Sequence, residues 1–169
     1  MSITLFAQPY DLAAAGFYFE DIETFQTKSK ALRNDYGEEV EEYEIQFIDG
    51  DALDCALFKA LSVHQGNVAA FLETAIDWED WEKIMATIAV GEVGYDLNIE
   101  NDCPGQLDIT IYQVESLKEL AEEFINDGLF GDIPKSLENY IDIEAIARDL
   151  SYDYVETTIA GSSIIYRAD

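Results

Sequence analysis

The sequence predicts an α+β fold, with helices and strands segregated along the chain rather than alternating as βαβ units. Two observations carry this expectation: a period-two stretch, EEYEIQFID at 41–49, and a stretch of helical periodicity, VESLKELAEEFINDG at 114–128. A third observation bounds it. The 36 Asp and Glu against 9 Lys and Arg give a formal charge of −27 on 169 residues, yet 49% of the residues are hydrophobic and 12% aromatic. Acidic chains stay disordered when apolar residues are too few to offset the entropy of ordering. Here they suffice, so the carboxylates are expected on the outside of a folded protein.

Taken in order, strands are expected at 3–8 and 16–20, then a helix at 22–33 and a strand at 41–48. In that strand Tyr43, Ile45 and Phe47 share one face and Glu42, Glu44 and Gln46 the other. Helices follow near 53–63, 67–76 and 78–89. In the last of them Trp78, Trp81, Ile84, Met85 and Ile88 are expected inward and Glu79, Asp80 and Glu82 outward, behind Asp77 as N-cap. A loop, EVGYDLNIENDCPGQ, leads to a strand at 107–113 and a helix at 116–127.

That helix has Val114, Leu117, Leu120, Ala121, Phe124 and Ile125 on one face, a capping box of Ser116 and Glu119, and Gly128 at its end. Glu115, Glu119, Glu122, Glu123 and Asp127 are left outside, with Lys118 to offset them. Like charges four residues apart cost a few tenths of a kcal/mol per pair, so the arrangement slightly opposes the helix. Two short helices at 135–141 and 143–150 follow, with Pro134 in the first turn of one and Asp142 capping the other. A hairpin, 152–159 with 163–167, ends the order. The expected domains are 1–53 (α+β, β-rich), 54–103 (helical) and 104–169 (α+β).

The charge excludes direct binding to DNA or RNA, whose affinity comes from Lys and Arg neutralising phosphates, and excludes an anionic membrane surface for the same reason. Residues 1–10, MSITLFAQPY, lack the basic start of a secretion signal. No apolar run approaches the ~18 residues of a membrane span, so a cytoplasmic protein is expected. Cys55 and Cys103 lie in no CxxC pair and are expected as buried free thiols.

Enzymatic signatures fail on inventory. His64 is the only histidine, and Cys55, His64 and Cys103 would leave zinc without a fourth protein ligand. A calcium loop starting at Asp49 would need Gly and Glu where Asp54 and Ala60 stand. Neither GxSxG nor GxxxxGK is present. Paired carboxylates carry no signal among 36 acids, although a small carboxylate-dependent hydrolase stays open as an alternative. The expectation is no catalysis, no cofactor and no metal.

What remains is the surface. Duplex DNA carries one negative charge per ~1.7 Å, so a net charge of this size matches roughly 46 Å of duplex, about 13 base pairs, and a twofold dimer about 27.

The segment LFGDIPKSLENYIDIEAIARDL, 129–150, supplies the most specific pattern. Leu129, Gly131, Pro134, Leu137, Asn139, Tyr140, Ile141, Asp142, Ala145, Arg148, Asp149 and Leu150 stand in a fixed register that resembles the ArdA antirestriction family. LFAQPYDLAAAGFYFED and EEYEIQFID resemble the family's first domain more loosely, as does the C-terminal hairpin its end. Between about 66 and 106 only acidity and helicity agree, and Ile143 and Ile146 stand where the family often has tyrosine.

The resemblance implies an elongated chain of three small domains, a homodimer, and carriage on a mobile genetic element. It also implies a DNA mimic that occupies the groove of the methyltransferase core of type I restriction-modification enzymes. A mimic aimed at another DNA-binding protein is the alternative within that class. The acids expected to face the target are Glu38, Glu39, Glu41, Glu42, Glu79, Asp80, Glu82, Glu115, Glu119, Glu122, Glu123, Asp127, Asp132, Glu138 and Glu144. The motif residues are expected to shape the protein or its dimer, with Leu137, Tyr140, Ile141, Ile146 and Leu150 in the core or a subunit contact.

Overall fold

The computed structural model describes residues 2–168, which form a mixed α+β protein with two separate three-stranded sheets. The chain divides into two units, one ending at Leu107 and the next beginning at Asp108.

In the first unit β1 (Thr4–Pro9) is the central strand, paired antiparallel with β2 (Phe17–Phe19) and β3 (Tyr43–Asp49). Alternation decides the faces: Leu5 pairs Phe19 and Phe47, and Ala7 pairs Phe17 and Ile45. Leu5, Ala7, Phe19, Tyr43 and Ile45 are buried while Glu44 is exposed. Helix α1 (Ile22–Ala31) lays Phe25 on this sheet, 4.9 Å from Phe19 and 6.0 Å from Tyr43 between ring centroids. It starts where Asp21 Oδ1 accepts the Thr24 N–H at 2.7 Å.

Phe47 carries the packing onward to Phe58 of α2 (Ala52–Ala60), 5.6 Å away, and Phe58 to Phe71 of α3 (Val68–Glu73), 5.5 Å away. Apolar residues from Ile3 to Ile99 share one cluster in this unit.

Helix α4 (Asp80–Ile88) lies against α2 and is buried from Lys83 to Ile88. Its start differs from the expected one. Asp77 ends a 3₁₀ turn, and Glu79 is the N-cap, its N–H held by Glu82 Oε2 at 2.9 Å. That contact folds the Glu82 carboxylate back onto the helix, so Glu82 is half-buried rather than outward. Trp81, expected inward, is 44% exposed, because the later start leaves it in the first turn with its ring over Gly105.

The expectation that carboxylates stay outside fails at Asp54. It is buried on α2 and accepts from Lys83 Nζ of α4 at 2.7 Å. Thr87 Oγ1 donates to the Lys83 carbonyl in the same interior.

The second unit holds a sheet of order β4-β6-β5, from β4 (Ile109–Tyr112), β5 (Val155–Ile159) and β6 (Ser162–Ala168). The hairpin between β5 and β6 turns through Ala160 and Gly161, with φ of 51° and 85°. Positive φ at both central residues matches the right-handed strand twist, and only glycine adopts it at no steric cost.

Helices α5 (Leu117–Asn126) and α6 (Ile143–Leu150) pack on each other, and Leu120, Phe124, Val114 and Ile165 form the core. Ser116 caps α5 and Asp142 caps α6, the latter accepting from the Ala145 N–H at 3.0 Å.

The helix expected at 135–141 is a turn closed by Leu137 N–H to the Pro134 carbonyl, then a 3₁₀ turn at Glu138–Tyr140. Nothing in 135–140 is buried, and a helix that short needs a packed face to persist. Leu137 and Tyr140, expected in the core or a subunit contact, are 53% and 83% exposed, so neither is core. Cys103 is exposed and Cys55 half-buried, so neither is the buried thiol expected; both are free. Cys103 stands exposed beside the buried Pro104.

Asp54→Ala strands the Lys83 ammonium in the interior and costs about 3–5 kcal/mol, whereas Asp54→Leu combined with Lys83→Met costs far less, as read by urea unfolding. The Asp21 carboxyl is held below its ordinary value of 3.8 by the hydrogen bonds from Thr24. A carboxylate whose folded pKa is depressed lends stability above its unfolded pKa and loses it as pH falls through the folded value. Asp21→Asn therefore flattens the decline of Tm below about pH 4, as followed by circular dichroism.

Candidate functional site

The candidate site is an extended surface, and its chemistry is that of unneutralised carboxylates. Every described Asp and Glu is exposed except Asp11 and Glu82, which are half-buried, and Asp54. Lys83 is spent on Asp54, so the interior pair is neutral and takes nothing from the chain's formal charge of −27.

Local structure decides where these acids stand. In the first unit Glu38, Glu39, Glu41 and Glu42 are exposed on the segment that leads into β3. Arg33 meets Glu39 at 2.9 Å, and the Glu42 carbonyl accepts from the Tyr10 N–H at 3.2 Å, tying the segment to the loop after β1. Glu79 and Asp80 are exposed at the start of α4, with Glu82 beside them against its first turn.

In the second unit Glu119, Glu122 and Glu123 are exposed on α5, Glu115 precedes it and Asp127 caps its end. The fold brings Glu144 of α6 to this group. Its carboxylate accepts from Lys118 Nζ at 3.0 Å, and Glu122 also acts on that ammonium. The hydrogen bond to Glu144, with the added charge of Glu122, raises the Lys118 pKa above its ordinary value. Asp132 and Glu138 are exposed in the irregular segment between the two helices.

The motif residues divide by role. Asp142 caps α6, Gly131 adopts a φ of 85°, and Leu150 packs against the second core. Ile141 and Ile146 are half-buried, while Pro134, Asn139, Arg148 and Asp149 are exposed, the last two 3.7 Å apart. Leu129 is 61% exposed and stands beside Phe130, 54% exposed, in the same segment as Leu137 and Tyr140.

Sequence reasoning missed Asp11, whose carboxylate accepts from Asn34 Nδ2 at 2.9 Å and from the Ala13 N–H at 2.8 Å. Those hydrogen bonds, Asn34's first, hold its pKa below the ordinary value. The partners lie 23 positions apart, and no short-range pattern links them. Among the described residues no group of three or more His, Cys, Asp and Glu is gathered as a metal site, and no helix is long and apolar enough to cross a membrane.

A search of curated proteins returns no match. The family described as "Antirestriction protein (ArdA)" matches residues 11–163, nearly the full span of both units and with it the patterned segment at 129–150. On that match, which covers the acidic segments of both units, the chain belongs to the ArdA antirestriction family.

Proposed function

We propose that this antirestriction protein acts without catalysis, as a mimic of DNA. Its carboxylates take the place of phosphates in the DNA groove of a type I restriction-modification enzyme's methyltransferase core. The observation that supports the reading is the placement of acids: a folded, apolar interior with nearly every carboxylate turned to solvent. A groove built to neutralise phosphates with Lys and Arg is steered toward such a surface by the same long-range attraction.

The acids named above, from Glu38 to Glu144, form the target-facing surface in this reading. They work as a sum, since exposed ion pairs are each worth only ~0–1 kcal/mol. The protein works as a homodimer in the cytoplasm, and the exposed Leu129, Leu137 and Tyr140 of the motif suit a subunit contact. A division into three parts, at 53/54 and 103/104, belongs to the same reading.

Titration against a fixed amount of a type I restriction enzyme tests it. Inhibition is expected to compete with DNA, to reach its half-point in proportion to enzyme concentration, and to weaken with salt, since charges are screened within ~8 Å at physiological ionic strength. Activity is expected to return when the protein is stripped off at high salt. Persistent inactivation by traces of protein would overturn mimicry in favour of an enzyme.

Neutralising Glu115, Glu122, Glu123 and Asp127 singly is expected to change the inhibition constant by less than about fivefold each, a shift of at most ~1 kcal/mol. Removing them together weakens it multiplicatively. Complete loss from one exposed Glu→Gln change, with the fold intact, would contradict a summed surface.

A further inference from the structure

The loop after β1 and the turn after α1 form a tip that is tightly organised yet presents large apolar side chains to solvent. Asn34 is its centre, with only 9% of its surface exposed. Its Oδ1 accepts from the N–H groups of Tyr36 and Glu38 at 3.0 and 2.9 Å. Its Nδ2 donates to Asp11 Oδ2 at 2.9 Å and to Glu38 Oε2 at 3.2 Å. Main-chain bonds from Asp35 N–H to the Ala13 carbonyl (2.8 Å) and from Tyr10 N–H to the Glu42 carbonyl (3.2 Å) close the structure.

On this scaffold Leu12 is 100% exposed, Tyr36 82% and Tyr10 66%. Exposed apolar residues scattered singly need no explanation, but these three stand on two loops stapled to each other. The backbone cost of ordering these loops for a partner has already been met by the fold.

The surroundings restrict what that partner is. Tyr10, Asp11, Glu39, Val40, Glu41 and Glu42 line one shallow groove of about 230 Å³, so a ring and several carboxylates face the same space. Phosphates are repelled by such a rim. An apolar partner would bury the Glu41 and Glu42 carboxylates without a cation to pair them, at a cost of several kcal/mol. A guanidinium satisfies both features, because it lies flat on an aromatic face while its N–H groups reach carboxylates. An ammonium is a compact, strongly hydrated point charge that does the second far better than the first.

We propose that the tip of Tyr10, Leu12 and Tyr36 is a preorganised contact for an arginine-bearing face of a basic protein, with the Tyr10 ring taking a guanidinium within the carboxylate rim and Tyr36 supplying a second exposed ring. The inference rests on the DNA-mimic reading for the identity of that protein, though not for the chemistry of the contact. It adds to the summed charge a specific, arginine-selective part of the binding surface.

Calorimetric titration with an oligo-arginine and an oligo-lysine peptide of equal length, at physiological salt, separates the two contributions. The wild-type protein is expected to bind the arginine peptide more tightly, by about two- to fivefold per engaged ring. Y10A/Y36A is expected to bind the two peptides equally, with its affinity for oligo-lysine unchanged. Y152A removes a tyrosine of the second unit that is 84% exposed, and is expected to keep the preference. Y10L/Y36L keeps apolar bulk without the ring face and is expected to behave as the alanine pair, with thermal melting confirming that each variant is folded. Equal binding of both peptides by the wild type, survival of the preference in Y10A/Y36A, or its equal loss in Y152A would overturn the proposal. Failure of the mimic reading appears instead in the restriction-enzyme titration and leaves the peptide preference standing.

Discussion

Mutual repulsion among carboxylates is the constraint on which this structure depends. With 36 acids and 9 bases on 169 residues, a compact state brings like charges together, and only apolar burial is large enough to oppose them. The chain meets the constraint with aromatic rings, each of which buries 150–250 Å² and so contributes more per residue than an aliphatic side chain. Phe17, Phe19, Phe25 and Tyr43 interlock in the first unit, and Tyr112, Phe124 and Tyr154 stand 5.7 to 5.8 Å apart in the second. The charge is thereby left to the surface, where water and salt weaken each repulsion.

Helix ends turn part of the same charge to structural use. Asp21, Asp51 and Asp142 accept N–H groups at the starts of α1, α2 and α6, where the helix dipole favours an anion. Glu156 reaches across from β5 to take the Leu117 N–H at the start of α5, at 2.7 Å. The scarce cations are placed with equal economy: Lys28 and Lys30 lie in the last turn of α1, Lys59 in that of α2 and Arg148 in that of α6. These four stay exposed, so it is their small number rather than their placement that leaves the surface acidic.

Most of the architecture was legible because it is written in local periods. Period-two alternation placed β3, and the helical spacing of Leu117, Leu120, Ala121 and Phe124 placed α5 with its Ser116 cap. The exposure of the candidate acids other than Glu82 was legible from composition, because a core cannot hold unpaired carboxylates. Where local signals mislead, a competing contact is the cause. Glu82 draws the start of α4 to Glu79, and at 135–140 helical spacing exists without a surface to bury it.

The sequence by itself determined the fold class, the acidic exterior, most of the order of elements and the motif that marks the family, since each depends on residue type and near-neighbour spacing. Tertiary structure alone decided which residues separated in sequence meet. Asp54 and Lys83, 29 positions apart, became a buried ion pair, and Asn34 and Asp11, 23 apart, became the tie that holds Tyr10, Leu12 and Tyr36 toward solvent. Such pairings follow from how whole helices and loops pack, because the free energy that fixes them is shared across the core and is not encoded in the spacing of the partners.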